Sequence, residues 1–113
     1  MKRDLQQPLH NLLNAPLLDE EKKQVMLSTV CVNALMNSYP DEQTLTGKEK
    51  ADRYHVAMKI QANPGRVDLT VEQLTLLKLL VGKAYGPLVV GQVYDLLEMT
   101  PKLVEAPTEG DPS

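Results

Sequence analysis

The stretch from Val67 to Glu98, VDLTVEQLTLLKLLVGKAYGPLVVGQVYDLLE, is the densest run of leucine and valine in the chain, and it carries its own start and stop signals. Thr70 followed three residues later by Gln73 is the pattern of a capping box, in which each side chain satisfies a backbone N–H that a helix start leaves without a partner. Leu69 and Leu74 stand where a hydrophobic staple clasps that start. The spacing predicts a helix from Thr70 to about Tyr85. Gly86 suits the left-handed conformation that closes a helix, and Pro87 suits the first turn of the next, where its missing N–H costs nothing. A second helix then runs to about Glu98. So short a connection turns two helices against each other, so this pair is expected to organise the rest.

The chain before it is punctuated by proline and charge. Pro8 and Pro16 interrupt residues 1–27, and proline discourages helical geometry in the residue before it. Two short apolar runs, Leu9 to Leu18 and Val25–Leu27, flank the charged run Asp19–Lys23, which reads as a β-hairpin with a solvated turn. A lone hairpin is barely stable in water, so it is expected to lie on the helices. Ser28 or Thr29 is the expected cap of the next helix, which presents Val30, Cys31, Ala34 and Leu35 on one face and ends at Pro40. Thr46 and Glu49 form a second capping box. The helix that follows puts Ala51, Tyr54, Ala57, Met58 and Gln61 on one stripe. Asn63-Pro64-Gly65 is a turn signal. No internal repeat stands out. The expected architecture is mainly α (α+β): a small N-terminal β-hairpin packed on a compact bundle of about four helices. Residues 1–99 form a single domain and 100–113 a flexible acidic, proline-rich tail.

Composition limits the function. The chain has 113 residues, room for one domain. Its core must be aliphatic, because there is no Phe, no Trp and only four Tyr. A net charge of −3 with interspersed signs lacks the basic face by which proteins hold nucleic acid. One cysteine, Cys31, excludes an internal disulfide and fits a reducing compartment. No stretch approaches the roughly 18 apolar residues of a membrane span, and the N-terminus lacks the apolar region of a signal peptide. A cytoplasmic protein is expected.

No pattern of reaction chemistry emerges. Cys31 with His10 or His55 is the only dyad to consider, and reactivity would need an accessible, electropositive setting. One cysteine and two separated histidines do not supply a zinc site, and the acidic runs lack the spaced ligands of a calcium loop. The Gly-Lys of LTGKEK is not a phosphate loop, since position 42 is Glu where that loop has glycine. No catalytic residue, cofactor or metal ligand is therefore assigned. A helix-turn-helix reading of residues 70–98 fails on charge. The second helix offers only Gln92 as a base reader and ends in Asp95 and Glu98, which phosphate repels.

The apolar breadth of the two central helices exceeds that of an ordinary surface helix. It serves either the monomer core or an interface, and Leu76, Leu80, Val90, Tyr94 and Leu97 are the expected contacts. The runs TGKEKADRYHVAMKI and VDLTVEQLTLLKLLVGKAYGPLVVGQVYDLLE, with DLQQPLHNLLNAPL and VMLSTVCVNALM, resemble a group of small uncharacterised proteins of tailed bacteriophages and prophages over roughly residues 4–98. The resemblance implies a non-catalytic accessory protein in the bacterial host cell. It would bind a phage or host protein or itself, as a virion-assembly chaperone or host-protein binder. A nucleic-acid-binding regulator is the alternative.

Overall fold

Two capping boxes set two of the helices. Helix α2, Gly47–Ala62, starts at Thr46, whose Oγ1 accepts from the Glu49 N–H at 3.1 Å while Glu49 Oε1 accepts from the Thr46 N–H at 3.0 Å. Helix α3, Val71–Ala84, starts at Thr70, which exchanges the same pair of bonds with Gln73, both at 3.0 Å. The computed structural model describes residues 1–98; the tail expected over 100–113 lies outside the described residues. Helix α1, Leu27–Met36, and helix α4, Pro87–Glu98, complete a mainly helical bundle of four helices with an antiparallel β element at the N-terminus, as the patterning predicts.

Other signals resolve differently. No glycine among the described residues has a positive φ, so Gly86 does not close α3 in the left-handed conformation. The corner is made by Tyr85, which is extended and donates its N–H to the Val81 carbonyl, and the Gly86 carbonyl accepts from Val90 as α4 begins. Neither Ser28 nor Thr29 caps α1, which begins at Leu27 with no side-chain cap. The Leu27 and Ser28 N–H groups instead donate to the Gln7 and Leu5 carbonyls, each at 2.8 Å. The extended arm ahead of the helix thus supplies the acceptors that a cap would provide. Helix α1 also stops at Met36, before Pro40, with the Asn37 N–H bonded back to Asn33.

The arm itself is tied to both ends of the second half. Strand β1, Lys2–Arg3, pairs antiparallel with strand β2, Val67–Asp68, in the register Lys2 to Asp68 and Arg3 to Val67. Arg3 is buried, and its Nε donates to the Leu97 carbonyl at 2.7 Å. That places a cation at the C-terminal end of α4, where the helix dipole favours one.

Residues 7–27 fold more tightly than a single hairpin. Leu9 donates to the Val25 carbonyl, Val25 to Leu17 and Leu17 to Leu9, closing a ring of three backbone bonds. Antiparallel bridges at Pro8–Met26, His10–Pro16 and Leu18–Gln24 flank it. Between the ring residues lie two turns of one design. In the first, Asn11 accepts from Asn14 and donates to Ala15, while its Oδ1 accepts from the Leu13 and Ala15 N–H groups. In the second, Asp19 does the same with Lys22, Lys23, Glu21 and Lys23. Asn14 and Lys22 both sit at a φ of 65°. Each is a three-residue hairpin loop, a turn followed by a left-handed residue, with an Asn or Asp side chain bracing the backbone. An eight-residue structural repeat is therefore present where the residues showed none.

The core is aliphatic. Helix α1 packs on both α2 and α3, and α3 on α4. On α2 the buried face is Arg53, Val56, Ala57 and Ile60. Of the stripe expected from sequence only Ala57 is inside, because the true face passes through an arginine whose charge is matched elsewhere. A lysine in the left-handed region carries a penalty that glycine avoids. Lys22→Gly should raise the free energy of unfolding by about 0.5–1 kcal/mol, seen as a higher urea midpoint at unchanged slope; a lowered midpoint would contradict this account of the second turn.

Candidate interaction surface

The residues expected to form contacts on α3 and α4 are mostly used within the monomer. Leu80 and Leu97 are 0% and 1% exposed and offer no surface to a partner. Leu76 and Val90 are half-buried against the core. Tyr94 alone is exposed, at 41%, with the Lys78 ammonium 5.6 Å from its ring centre and Lys78 paired with Glu98. The breadth of apolar residues on these helices therefore reflects packing: α3 faces both α1 and α4.

The largest exposed apolar groups lie elsewhere. Leu12 and Leu13 are 92% and 89% exposed, side by side at the apex of the first turn. Turn apices favour polar residues and glycine. The second turn has the same backbone bonds and the same left-handed third position, yet carries Glu20 and Glu21 at the equivalent places. The turn geometry thus does not call for leucine. Burying one leucine side chain is worth about 1.5–3 kcal/mol, a gain that neither residue collects within the monomer.

The first turn is also held in place. The Gln92 side chain on α4 accepts from the His10 N–H at 2.8 Å and donates to the His10 carbonyl at 2.7 Å and the Leu88 carbonyl at 3.0 Å. The one candidate base reader of α4 is spent on clamping this hairpin. An apex fixed by two Asn11 bonds and a two-bond clamp loses little freedom on docking.

A second feature lies at the C-terminal end of α1. A cleft of about 270 Å³ is lined by Leu35, Met36, Tyr39, Leu45, Lys50 and Arg53. Part of its lining is an ion-pair network that the sequence pattern did not reveal. Arg53 donates through both terminal nitrogens to the two oxygens of Glu42, each at 2.7 Å. Lys83 on α3 reaches Glu42 and Asp41, both at 3.1 Å, and lies 5.4 Å from the Tyr39 ring centre. The Tyr39 hydroxyl donates to the Ala34 carbonyl at 2.7 Å. Glu42 thereby joins the α1–α2 connector to α2 and α3. The Arg53 guanidinium, then Lys83, hold its carboxyl at about 2, well below its ordinary 4.5. An arginine at a helical core position with an acid in the preceding connector was the signal available.

The candidate dyad is not assembled. Cys31 is wholly buried in α1, and burial pushes its thiol up to about 12, away from the thiolate a nucleophile needs. His55 is exposed on α2, and His10 is the residue clamped by Gln92. Among the described residues no group of three or more His, Cys, Asp or Glu is placed to hold a metal ion, and no helix is long and apolar enough to cross a membrane. Comparisons with protein families, curated proteins and solved structures find no match.

Leu80→Ala should cost about 2–5 kcal/mol of stability as a core truncation; a cost below 1 kcal/mol in chemical denaturation would place it outside the core. The Glu42 carboxyl is depressed in the folded state, so its contribution is full above its unfolded value near 4.5 and fades as pH falls towards 2. Glu42→Gln should lower stability by about 1–3 kcal/mol at pH 7. Its urea midpoint should converge on that of the parent as pH falls through this window, and a constant difference down to pH 2 would refute the ion-pair account.

Proposed function

We propose that the protein is a non-catalytic binding module whose contact surface is the Leu12–Leu13 apex. The observation that carries this is the comparison within the molecule: two turns with one hydrogen-bond pattern, of which only one bears leucines, and that one is clamped to α4. Two adjacent apolar side chains on a pre-organised support suit insertion into an apolar pocket of another protein. The setting is the one that the resemblance implies, an accessory protein of a phage or prophage in the bacterial cytoplasm. There it would act as an assembly chaperone or a binder of a host protein. The nucleic-acid reading gains nothing here, because Gln92 is engaged and the net charge is −3.

Leu12→Ser/Leu13→Ser removes the apex without touching the core. Its thermal and urea unfolding should match the parent to within about 0.5 kcal/mol, while proteins retained by the immobilised parent from host-cell extract are lost from the variant. Retention of every partner by the variant would end this assignment, and tight, salt-sensitive binding of DNA by the parent would favour the regulator instead.

A further inference from the structure

The cleft at the C-terminal end of α1 holds one charge that the protein itself leaves unanswered. Its lining includes two cations, Lys50 and Arg53, and one anion, Glu42. Arg53 spends both terminal nitrogens on the Glu42 oxygens, and Lys83, which also reaches Glu42, pairs with Asp41. That network is neutral in itself, and Lys50 stands outside it. Among the described residues no carboxylate lies within ion-pair distance of the Lys50 ammonium. Its neighbours along α2 are committed elsewhere. Lys48 pairs with Asp52, and the Glu49 carboxylate is turned back to the Thr46 N–H and hydroxyl as the capping-box acceptor. Lys50 is therefore the cation in excess at this recess.

The rest of the lining is of two kinds. Leu35, Met36 and Leu45 supply its aliphatic part. Met36 is 55% exposed, and a thioether side chain adapts readily to what it meets. Asn37 and Ser38 add neutral donors. We propose that the cleft binds a small monocarboxylate with a short branched aliphatic body, the carboxylate on Lys50 and the body against Leu35, Met36 and Leu45. This site shares no residue with the Leu12–Leu13 surface and does not rest on it.

Charge selects the ligand's head. A cation would meet the repulsion of Lys50, and a neutral apolar group would strip water from the ammonium without replacing it. A phosphate asks for more than the cleft has to give, because such groups are held by arginine forks or several charged donors, and the Arg53 fork is occupied by Glu42. One free cation matches one negative charge.

Volume selects the body. Sites for drug-sized ligands run to roughly 300–1,000 Å³, and this cleft, at about 270 Å³, falls below them. An apolar cavity of about 150 Å³ already admits benzene, so a body of roughly five or six carbons suits this recess better than a long chain. The same chemistry is presented by a free acid and by the C-terminal residue of a polypeptide ending in leucine.

Titration of the isotope-labelled full chain with isocaproate, followed through its amide chemical shifts, tests this. Saturable shifts should centre on residues 35–39, Leu45 and Lys50, with a dissociation constant on the order of millimolar for so small a ligand. Isocaproamide, which has the same shape without the charge, should bind at least about threefold more weakly, and isoamylamine should not bind. Lys50→Gln changes an exposed side chain, so its melting curve should match that of the parent. It should lose the same factor for the acid and nothing for the amide. Acetyl-alanyl-leucine separates the two sources: tighter binding than isocaproate assigns the carboxylate to a chain terminus, weaker binding to a free acid, and both uphold the site. Shifts that do not saturate or that scatter over the surface, equal affinity for acid and amide, tighter binding of the amine, or a Lys50→Gln variant that holds the acid as the parent does would each overturn the proposal.

Discussion

The fold depends on keeping α1 dry. This ten-residue helix places Leu27, Val30, Cys31, Ala34 and Leu35 inside, and it packs on both α2 and α3. It is too short to be stable in water on its own, since isolated helices of this length are marginal even in favourable sequences. Its valines further weaken its intrinsic preference. Packing must therefore hold it, and the extended N-terminal arm must cap it, since the first N–H groups bond to Leu5 and Gln7. The arm in turn is held by β2 and by the buried bond from Arg3 to Leu97. First and last elements are thus bound to the centre by bonds that exist only when all are in place, which is the physical content of cooperativity in a chain with so few aromatic residues.

The N-terminal turns show how one backbone solution can be put to two uses. Asn11 and Asp19 brace their loops in the same manner, and Leu9, Leu17 and Val25 close the ring between them. With the scaffold settled by those residues, the apex positions are released from structural duty. One turn fills them with glutamates, which water solvates readily. The other fills them with leucines and is tethered to α4 through Gln92. A similar economy marks the C-terminal end of α1, where one carboxylate, Glu42, satisfies Arg53 and Lys83 at once.

Much of the architecture was legible because its causes are local. Both capping boxes involve residues three apart, Pro87 acts on its own backbone, and Asn63-Pro64-Gly65 turns within itself. The failures share a cause of the opposite kind. The start of α1 is decided by carbonyls some twenty residues earlier. The buried face of α2 runs through Arg53, hydrophilic by any scale, and becomes intelligible only once Glu42 has been folded beside it. The contacts assigned to Leu80 and Leu97 fail because an apolar stripe states that a face is covered without stating by what; here the cover is the chain's own helices. The repeated turn is faint in the sequence because only the bracing Asn or Asp and the ring Leu or Val recur, while the remaining positions differ freely.

By itself, the order of residues determined the four helices, most of their limits and the aliphatic character of the interior, because capping, proline geometry and apolar spacing act over a few bonds. Tertiary structure alone decided which faces are covered, that a buried arginine is tolerated, and that Leu12 and Leu13 stand in solvent while Leu80 and Leu97 are enclosed. Exposure is a property of what surrounds a side chain. For Leu12 and Leu13 it follows from a turn braced by Asn11 and a hairpin fixed by Gln92, 82 residues from His10 in the chain and beside it in the fold.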